Sequence, residues 1–394
     1  MADVVIAGIG QTPVGEHWDR SLRELAFAAL EQALQESGGL RPEALFVGNM
    51  LAPMLSHQAH LGALVADFAG LSGVEAATLE SAGASGGAAL RAGYLAVASG
   101  QASAALVVGV EKFTDQIGAR AEANLMSAVD SDYEAAQGLT PTAQAALLMQ
   151  RYLHESGAPR EAFAGFALTA HENGAGNPNA MFRKAITAQA YAKAGMVSEP
   201  LNLFDAAPVA DGAAALLLTR RDLLPERFPH PLVRISGSAV ATDTLALHDR
   251  ADPLSFAAAR ASIQRACSRA GILPGEVDLF ELHDAYSIYA ALSLEAAGFA
   301  ERLCGWQLAL EGNPRPISRE GLLPVSTLGG LKARGNPGGA TGVYQAVEAA
   351  LQLRGQAGGS QIPGAKRALI QCLGGPASTA ITHVLEVEEN RQPV

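Results

Sequence analysis

Four short loops in this sequence combine glycines with residues that can do chemistry. The first, Glu80–Gly87, lies between a strand-like run and the start of a helix. Backbone N–H groups converge at such a helix start, and the helix dipole favours negative charge there. A cysteine in this loop would be a nucleophile with a lowered pKa. Gly83, in the middle of the loop, offers only backbone and space.

The other three loops lie in the last third of the chain. Residues 281–286 place His283 at the end of a strand-like run, where α/β proteins gather their sites. Residues 329–342 are rich in glycine and present Asn336 at a helix start, and residues 371–375 place Cys372 at a strand end. Plainer interpretations also fit each loop: a tight turn, a core histidine paired with Asp284, a flexible loop, or a packed cysteine.

The elements around these loops form a repeat of strand and helix patterns. Residues 40–47 resemble residues 272–282, and each segment follows a helix that ends at a glycine. The helix that starts at residue 85 and the strand 104–110 are repeated by a helix that starts near residue 337 and the strand 368–372. Two matches in the same order predict two similar α/β halves packed together.

Composition excludes several classes of protein. The chain has 394 residues, 49% of them hydrophobic, and a net charge of −11 without a basic stripe, which argues against nucleic-acid binding. No signal peptide or apolar run of membrane-spanning length is visible, so we expect a cytoplasmic protein. The three cysteines are far apart, which fits reduced thiols and predicts neither disulfides nor a metal site.

The repeat suggests boundaries for three parts of the chain. We predict an N-terminal half over residues 1–112, an inserted loop domain over 113–243 and a C-terminal half over 244–394. The insertion contains a turn-rich block that ends in Arg183 and Lys184. In a chain this acidic, the two cations are candidates for binding a ligand phosphate, although a solvated turn explains them as well.

Together, the four loops resemble those of the thiolase superfamily, most closely its archaeal and sterol-carrier-protein branch. Residues 83–86 (Gly-Ala-Ser-Gly) resemble the Cys-Ala-Ser-Gly nucleophile loop, and residues 283–286 (His-Asp-Ala-Tyr) resemble His-Asp-Ala/Cys-Phe. Residues 335–342 resemble Gly-His-Pro-x-Gly-Ala-Thr-Gly, and residues 372–375 resemble Cys-x-Gly. The resemblance covers the whole chain and implies a duplicated α/β fold of five layers, α-β-α-β-α, with an inserted loop domain that binds CoA.

Two departures from the family pattern concern one chemical step. Gly83 replaces the nucleophilic cysteine, and Asn336 replaces the histidine that would activate it. The resemblance implies that His283 and Asn336 donate hydrogen bonds to a thioester oxygen and that Cys372 is the acid or base. Further residues are expected to contact the substrate, with the two tyrosines as reserve proton donors: Ser85, Tyr286, Gly338, Tyr344 and Gly374.

Three functions remain open at this point. The first is an enzyme that makes or breaks a C–C bond beside a CoA thioester through an enolate, by retro-aldol or decarboxylation chemistry. The second is a thiolase-type acyltransferase with another nucleophile, for which Cys372 is the candidate, and the third is a silent acyl-CoA-binding subunit. A dinucleotide-binding motif is rejected because Pro13 stands where its third glycine belongs.

The resemblance also implies ligands and partners. We expect no cofactor apart from the CoA of the substrate. We expect a homodimer or homotetramer, and a small zinc-ribbon/OB-fold protein is a possible partner.

Overall fold

The structure, a computed structural model, describes residues 3–224, 228–312 and 314–388. Its strands are β1 (Val4–Gln11), β2 (Ala44–Gly48), β3 (Glu75–Leu79), β4 (Ala104–Glu111), β5 (Met196–Ser198), β6 (Leu201–Asn202), β7 (Gly212–Arg220), β8 (Val233–Thr242), β9 (Leu279–Glu281), β10 (Arg367–Gly374) and β11 (Thr379–Val387). Its α-helices are α1 (Leu22–Glu36), α2 (Ala52–Leu55), α3 (Leu61–Phe68), α4 (Ser85–Ala98), α5 (Ala119–Leu125), α6 (Pro141–Ser156), α7 (Ala164–Gly174), α8 (Ala188–Lys193), α9 (Ala257–Ala270), α10 (Ser287–Ala296) and α11 (Thr341–Leu353).

Nine strands form one sheet in the order β3-β2-β4-β7-β1-β8-β11-β10-β9. Outward from the centre of the sheet, the first half is β1-β7-β4-β2-β3 and the second is β8-β11-β10-β9. In both halves the first two pairings are antiparallel and the next is parallel. The strand that would complete the second half is reduced to a single bridge between Phe280 and Val325. The halves join through two residue pairs of β1 and β8. The predicted duplication is therefore confirmed.

The helices and the two half-sheets form five layers. α4 and α11 pack against each other between the half-sheets, α1 and α3 cover the outer face of the first half, and α9 covers that of the second. The central helices approach closely because glycines face each other: a Cβ at Gly342 would lie 2.3 Å from the backbone nitrogen of Gly87. The predicted α-β-α-β-α arrangement is confirmed. In it, the starts of α4 and α11 lie at the same edge of the fold.

The insertion is shorter than the sequence predicts. β7 pairs with β1 and β4 inside the first half-sheet, and β8 is the first strand of the second. The inserted segment therefore lies between β4 and β7 and ends before Gly212, not at residue 243. The apolar runs of β7 and β8 carry no motif that assigns them to a half, which is why the pattern alone misplaced the boundary.

The longest helix in the described part of the chain, α6, has 16 residues. It begins after Thr140, whose hydroxyl accepts a hydrogen bond from the backbone N–H of Ala143, and Pro141 occupies the first turn. Among the described residues, no helix has both the length and the apolar content needed to cross a membrane.

Candidate functional site

A cavity lies where the loops of both halves meet the insertion. Five of the sequence-predicted residues line it: Gly83, His283, Tyr286, Asn336 and Gly338. The rest of the wall is mostly apolar and comes largely from the insertion and from the ends of β2, β4 and β10. Its members are Met50, Ala82, Phe113, Glu122, Leu125, Ala128, Val129, Pro141, Thr142, Gln144, Ala206, Ala207, Val209, Ala285, Tyr289, Leu373 and Gly375.

The loop that carries Gly83 is a short helical turn leading into α4. The Ser85 hydroxyl donates to the carbonyl of Ala82 (2.6 Å) and accepts from the backbone N–H of Ser81 (2.9 Å). These bonds hold Ala82 at a φ of +50°, a strained value for a residue with a side chain. Ser85 is fully buried and does not line the cavity, so it shapes the loop and does not contact substrate as predicted.

The space above Gly83 is almost closed. A Cβ built on this residue would lie 2.7 Å from the carbonyl oxygen of Leu373 and 3.1 Å from Cε1 of His283. The first distance is shorter than van der Waals contact, and its partner is backbone. A side chain at position 83 therefore requires a local shift of the loop or of β10.

His283 follows β9 and is only 5% exposed. Burial, together with the positive charge of Arg334, lowers the pKa of its imidazole to about 3, so the ring is neutral near pH 7. Its Nδ1 atom has no hydrogen-bond partner among the described residues, while its Cε1–Nε2 edge faces Gly83. A neutral ring that carries its one proton on Nε2 would present a donor to the cavity.

Asn336 is held on both its backbone and its side chain. Its backbone N–H donates to the carbonyl of Pro208 (2.9 Å), and its carbonyl accepts from the N–H of Ala210 (3.0 Å). Its Oδ1 accepts from the N–H of Gly338 (3.2 Å) and from the hydroxyl of Thr341 (3.3 Å). The side-chain NH₂ group remains to donate into the cavity.

Tyr286 belongs to a line of hydrogen bonds that runs along the cavity wall. Its hydroxyl lies 3.0 Å from that of Thr142, and the Thr142 hydroxyl donates to a carboxylate oxygen of Glu122 over 3.4 Å. All three residues line the cavity, and Glu122 is exposed to solvent. Burial raises the pKa of the Tyr286 phenol to about 12, which keeps it protonated at neutral pH.

Cys372 is not at the cavity, which corrects the prediction made from its loop. Its thiol is fully buried and donates to Oε1 of Gln345 over 3.1 Å. Successive residues of a strand point to opposite faces, so Leu373 lines the cavity while Cys372 packs between α4 and α11. Burial raises the pKa of this thiol to about 12. Neither the acid–base role nor the nucleophile role fits this position.

Two other predicted residues also lie away from the cavity lining. The hydroxyl of Tyr344 donates to the carbonyl of Thr12 (2.9 Å), and its ring lies under the guanidinium of Arg334. Gly374 packs against the carbonyl of Ser81 without lining the cavity. Neither residue lines the cavity as the prediction requires, and both support the loops around it.

The remaining predictions concern charged residues. Asp284 does not pair with His283: its carboxylate accepts from the backbone N–H of Leu331 over 2.8 Å. Arg183 and Lys184 are exposed and lie between α7 and α8, outside the cavity lining. In the part of the chain that is described, no three His, Cys, Asp or Glu side chains lie close enough to hold a metal ion.

Sequence analysis missed Glu111, a buried carboxylate at the end of β4. It accepts hydrogen bonds from the backbone N–H groups of Met50, Leu51 and Gly339 and from the amide of Asn49, over 2.8–3.1 Å. Burial raises its pKa to about 7, against the lowering effect of these donors. Glu111 thus ties a loop of each half into one wall. A carboxylate directly after an apolar run was the available signal.

Sequence analysis also missed Gln144, in the first turn of α6. Its side chain is 1% exposed and lines the cavity. A single glutamine near a helix start carries no motif, so no signal in the sequence distinguished it.

Comparison with known proteins agrees with this geometry. Residues 4–222 match the family model "Thiolase, N-terminal domain", and residues 239–387 match "Thiolase C-terminal domain-like". An acetyl-CoA acetyltransferase of Methanothermobacter thermautotrophicus is 39% identical over 98% of this chain and 99% of its own length. The subunit BbsB of benzoylsuccinyl-CoA thiolase from Thauera aromatica is 29% identical over 91% of each chain.

Solved structures show the same fold. The Ltp2-ChsH2(DUF35) aldolase superposes with a TM-score of 0.81 over 99% of this chain and 98% of its own, at 23% identity. Human mitochondrial 3-ketoacyl-CoA thiolase gives a TM-score of 0.73 over 98% of this chain and 99% of its own, at 18% identity. Taken with the two family models and the duplicated five-layer fold, these matches establish that the chain belongs to the thiolase superfamily of acyl-CoA enzymes.

Proposed function

We propose that this enzyme makes or breaks a C–C bond beside a CoA thioester through an enolate, without an acyl-cysteine. The observation that carries the proposal is the pairing of two neutral donors, His283 and Asn336, with Gly83 at the nucleophile position. A covalent acyl intermediate needs a nucleophile in the cavity. An enolate needs only hydrogen-bond donors aimed at its oxygen, and the site has kept these.

The proposed reaction is a retro-aldol cleavage of a β-hydroxyacyl-CoA. A base removes the proton of the β-hydroxyl group, the Cα–Cβ bond breaks, and Cβ leaves as a carbonyl compound. The electron pair passes to Cα and the thioester oxygen, where Nε2–H of His283 and the NH₂ group of Asn336 hold the negative charge. Protonation of Cα then completes the reaction. Loss of CO₂ from a carboxyl group attached to Cα would produce the same enolate.

The line from Tyr286 to Glu122 is the proton path in this proposal. With Cys372 and Tyr344 away from the cavity lining, Tyr286 is the predicted acid–base residue that remains there. The Tyr286 phenol takes the proton of the substrate hydroxyl while passing its own proton to Thr142, and Thr142 passes one to Glu122. The reverse transfer delivers a proton to Cα.

A thiolase-type acyl transfer is the second candidate function. Its support is the 39% identity to a protein named acetyl-CoA acetyltransferase. Its difficulty is the missing nucleophile, because Gly83 has no side chain and the Cys372 thiol is buried against Gln345. A silent acyl-CoA-binding subunit is the third candidate.

Two incubations, followed by intact mass and product analysis, separate these candidates. We expect a β-hydroxyacyl-CoA to yield acetyl-CoA and an aldehyde with no mass adduct on the protein. A covalent acyl adduct, or rapid thiolysis of acetoacetyl-CoA by added CoA, contradicts the proposal and supports acyl transfer. Binding of both thioesters without any turnover supports the silent subunit.

The donors themselves are tested by a His283→Ala variant. Loss of one oxyanion donor lowers kcat by about 10²- to 10³-fold. The dissociation constant of an unreactive acyl-CoA should stay nearly unchanged, because the bond strengthens only when charge develops. The matched control is His154→Ala, an exposed histidine of α6. Equal kcat in wild type and His283→Ala contradicts the assignment.

Further proposals concern ligands and assembly. We propose that Arg183 and Lys184 bind phosphate groups of CoA, and that CoA, as part of the substrate, is the only cofactor. We propose a cytoplasmic homodimer or homotetramer, supported by β3, a partly exposed strand at one edge of the sheet. We also propose that the enzyme works with a small zinc-ribbon/OB-fold partner protein. Light scattering of the purified chain tests the oligomer, and charge-removing variants at residues 183 and 184 should weaken binding of CoA itself.

A further inference from the structure

Two residues of the cavity wall have buried polar side-chain atoms without a hydrogen-bond partner among the described residues. One is His283, through Nδ1, and the other is Gln144, through both its amide nitrogen and its amide oxygen. A buried amide without partners lowers the stability of the folded protein, because its hydrogen bonds to water are lost and not replaced. Such a group in a cavity wall indicates a ligand that supplies the missing bonds.

The surroundings of Gln144 define the chemistry of that ligand. The same cavity wall includes apolar side chains such as Leu125 and Val129, which suit an acyl chain. No lysine or arginine is among the described residues that line the cavity, and Glu122 is the one carboxylate. A negatively charged substituent would therefore lack a counter-ion here. A primary amide both donates and accepts hydrogen bonds, which suits a neutral hydroxyl or keto group.

Resting on the proposed function, we infer that Gln144 recognises a neutral hydroxyl or keto group on the acyl chain, separate from the oxygen atoms that react. The enzyme then prefers acyl-CoA substrates with an oxygenated chain over plain aliphatic ones. A site that keeps a buried amide unpaired rejects an analogue that cannot form its hydrogen bonds.

The test measures binding, so that it does not depend on catalysis. The probes are hexanoyl-CoA, its three derivatives with one hydroxyl group at C4, C5 or C6, and its two derivatives with one keto group at C4 or C5. None of them has the β-substituent that the proposed reaction needs. Isothermal titration calorimetry should show that the wild type binds at least one derivative about tenfold to hundredfold more tightly than hexanoyl-CoA. Equal affinity for all six thioesters overturns the inference.

Variants of Gln144 identify the group responsible. Gln144→Met keeps the approximate length of the side chain, whereas Gln144→Leu shortens it. Both should lose the preference for the oxygenated chain while binding hexanoyl-CoA as well as the wild type or better. The control is Gln150→Leu, an exposed glutamine of the same helix, which should keep the preference. If the preference survives in both Gln144 variants, or if Gln150→Leu loses it too, the inference is wrong.

Thermal unfolding of the ligand-free protein separates a ligand-binding role from a structural one. Removal of an unpaired buried amide should leave Tm unchanged or raise it, whereas loss of an amide bonded through ordered water would lower it. A lower Tm with an unchanged preference contradicts the inference. Selective binding without turnover of any β-hydroxyacyl-CoA would contradict the proposed reaction but not the role of Gln144.

Discussion

The two halves of the fold share a strand order but use polar residues at their strand ends differently. In the first half, Asn49 after β2 donates to Glu111 at the end of β4 over 2.8 Å, and Glu111 accepts from backbone amides. In the second half, His283 after β9 and Asn336 before α11 line the cavity, and the buried ring nitrogen Nδ1 of His283 has no partner among the described residues.

This difference shows that the two duplicated halves have different roles at the cavity. In the first half, Glu111 is bonded to the backbone amides of its own half and of Gly339, and so it supplies a fixed wall. The second half leaves donors available for a ligand. The helix start of the first half, at Gly83, adds only backbone to the cavity and no reactive group. Variants of each half should therefore fail in different ways.

The largest effect is expected from removing the carboxylate of the first half. Glu111→Ala leaves three backbone N–H groups and the Asn49 amide without their acceptor in a buried position. We expect the free energy of unfolding, measured in urea, to fall by about 3–5 kcal/mol. The control is Glu31→Ala, an exposed carboxylate of α1, which should change it by less than about 0.5 kcal/mol. His283→Ala should lower kcat strongly and change the free energy of unfolding only slightly. Equal losses of unfolding free energy in Glu111→Ala, Glu31→Ala and His283→Ala would remove the contrast between the halves.

A smaller effect is expected from restoring the nucleophile. Gly83→Cys places a Cβ 2.7 Å from the carbonyl of Leu373, so we expect a loss of about 1–3 kcal/mol in the free energy of unfolding. We also expect no acyl adduct by intact mass and no thiolysis, because Asn336 stands where the activating histidine belongs. Gly195→Ala, at an exposed glycine with nothing within 4 Å of its Cβ position, should be nearly neutral. A stable Gly83→Cys enzyme that performs thiolysis would show that the loop accommodates a nucleophile after all.

The smallest effect is expected in the pH dependence of kcat/KM. Burial lowers the pKa of His283 to about 3, so its imidazole is already neutral at pH 5 and should produce no transition near pH 6.5. Burial raises the pKa of Glu111 to about 7, so a transition near pH 7 should originate there and disappear in Glu111→Gln. A transition near pH 6.5 that is lost in a His283 variant but kept in Glu111→Gln would contradict this assignment.

The same shifts affect stability with opposite signs. The unfolded chain protonates His283 near pH 6.5 and the folded chain only near pH 3, so its contribution to the free energy of unfolding falls as pH drops through this range. Glu111 has a folded pKa above its unfolded value, so its contribution falls as pH rises from about 4.5 to about 7.

Much of the fold and part of the site could be predicted from the sequence. Repeated apolar runs and glycine-rich helix starts identified two halves, because strand and helix periodicity are local properties. The loops placed Gly83, His283 and Asn336 correctly at one cavity. Cys372 was misplaced because the face that a strand residue occupies depends on register, which a short motif does not fix. Gln144 was missed because its environment consists of residues distant in sequence.

The carbonyl of Leu373 above Gly83 has a consequence for how such a site changes over evolutionary time. A cysteine at position 83 would place its Cβ 2.7 Å from that oxygen, so a return to cysteine alone meets a steric barrier. The change from cysteine to glycine is therefore hard to reverse. A working nucleophile at position 83 would require coordinated changes in β10 and at Asn336 instead of one substitution.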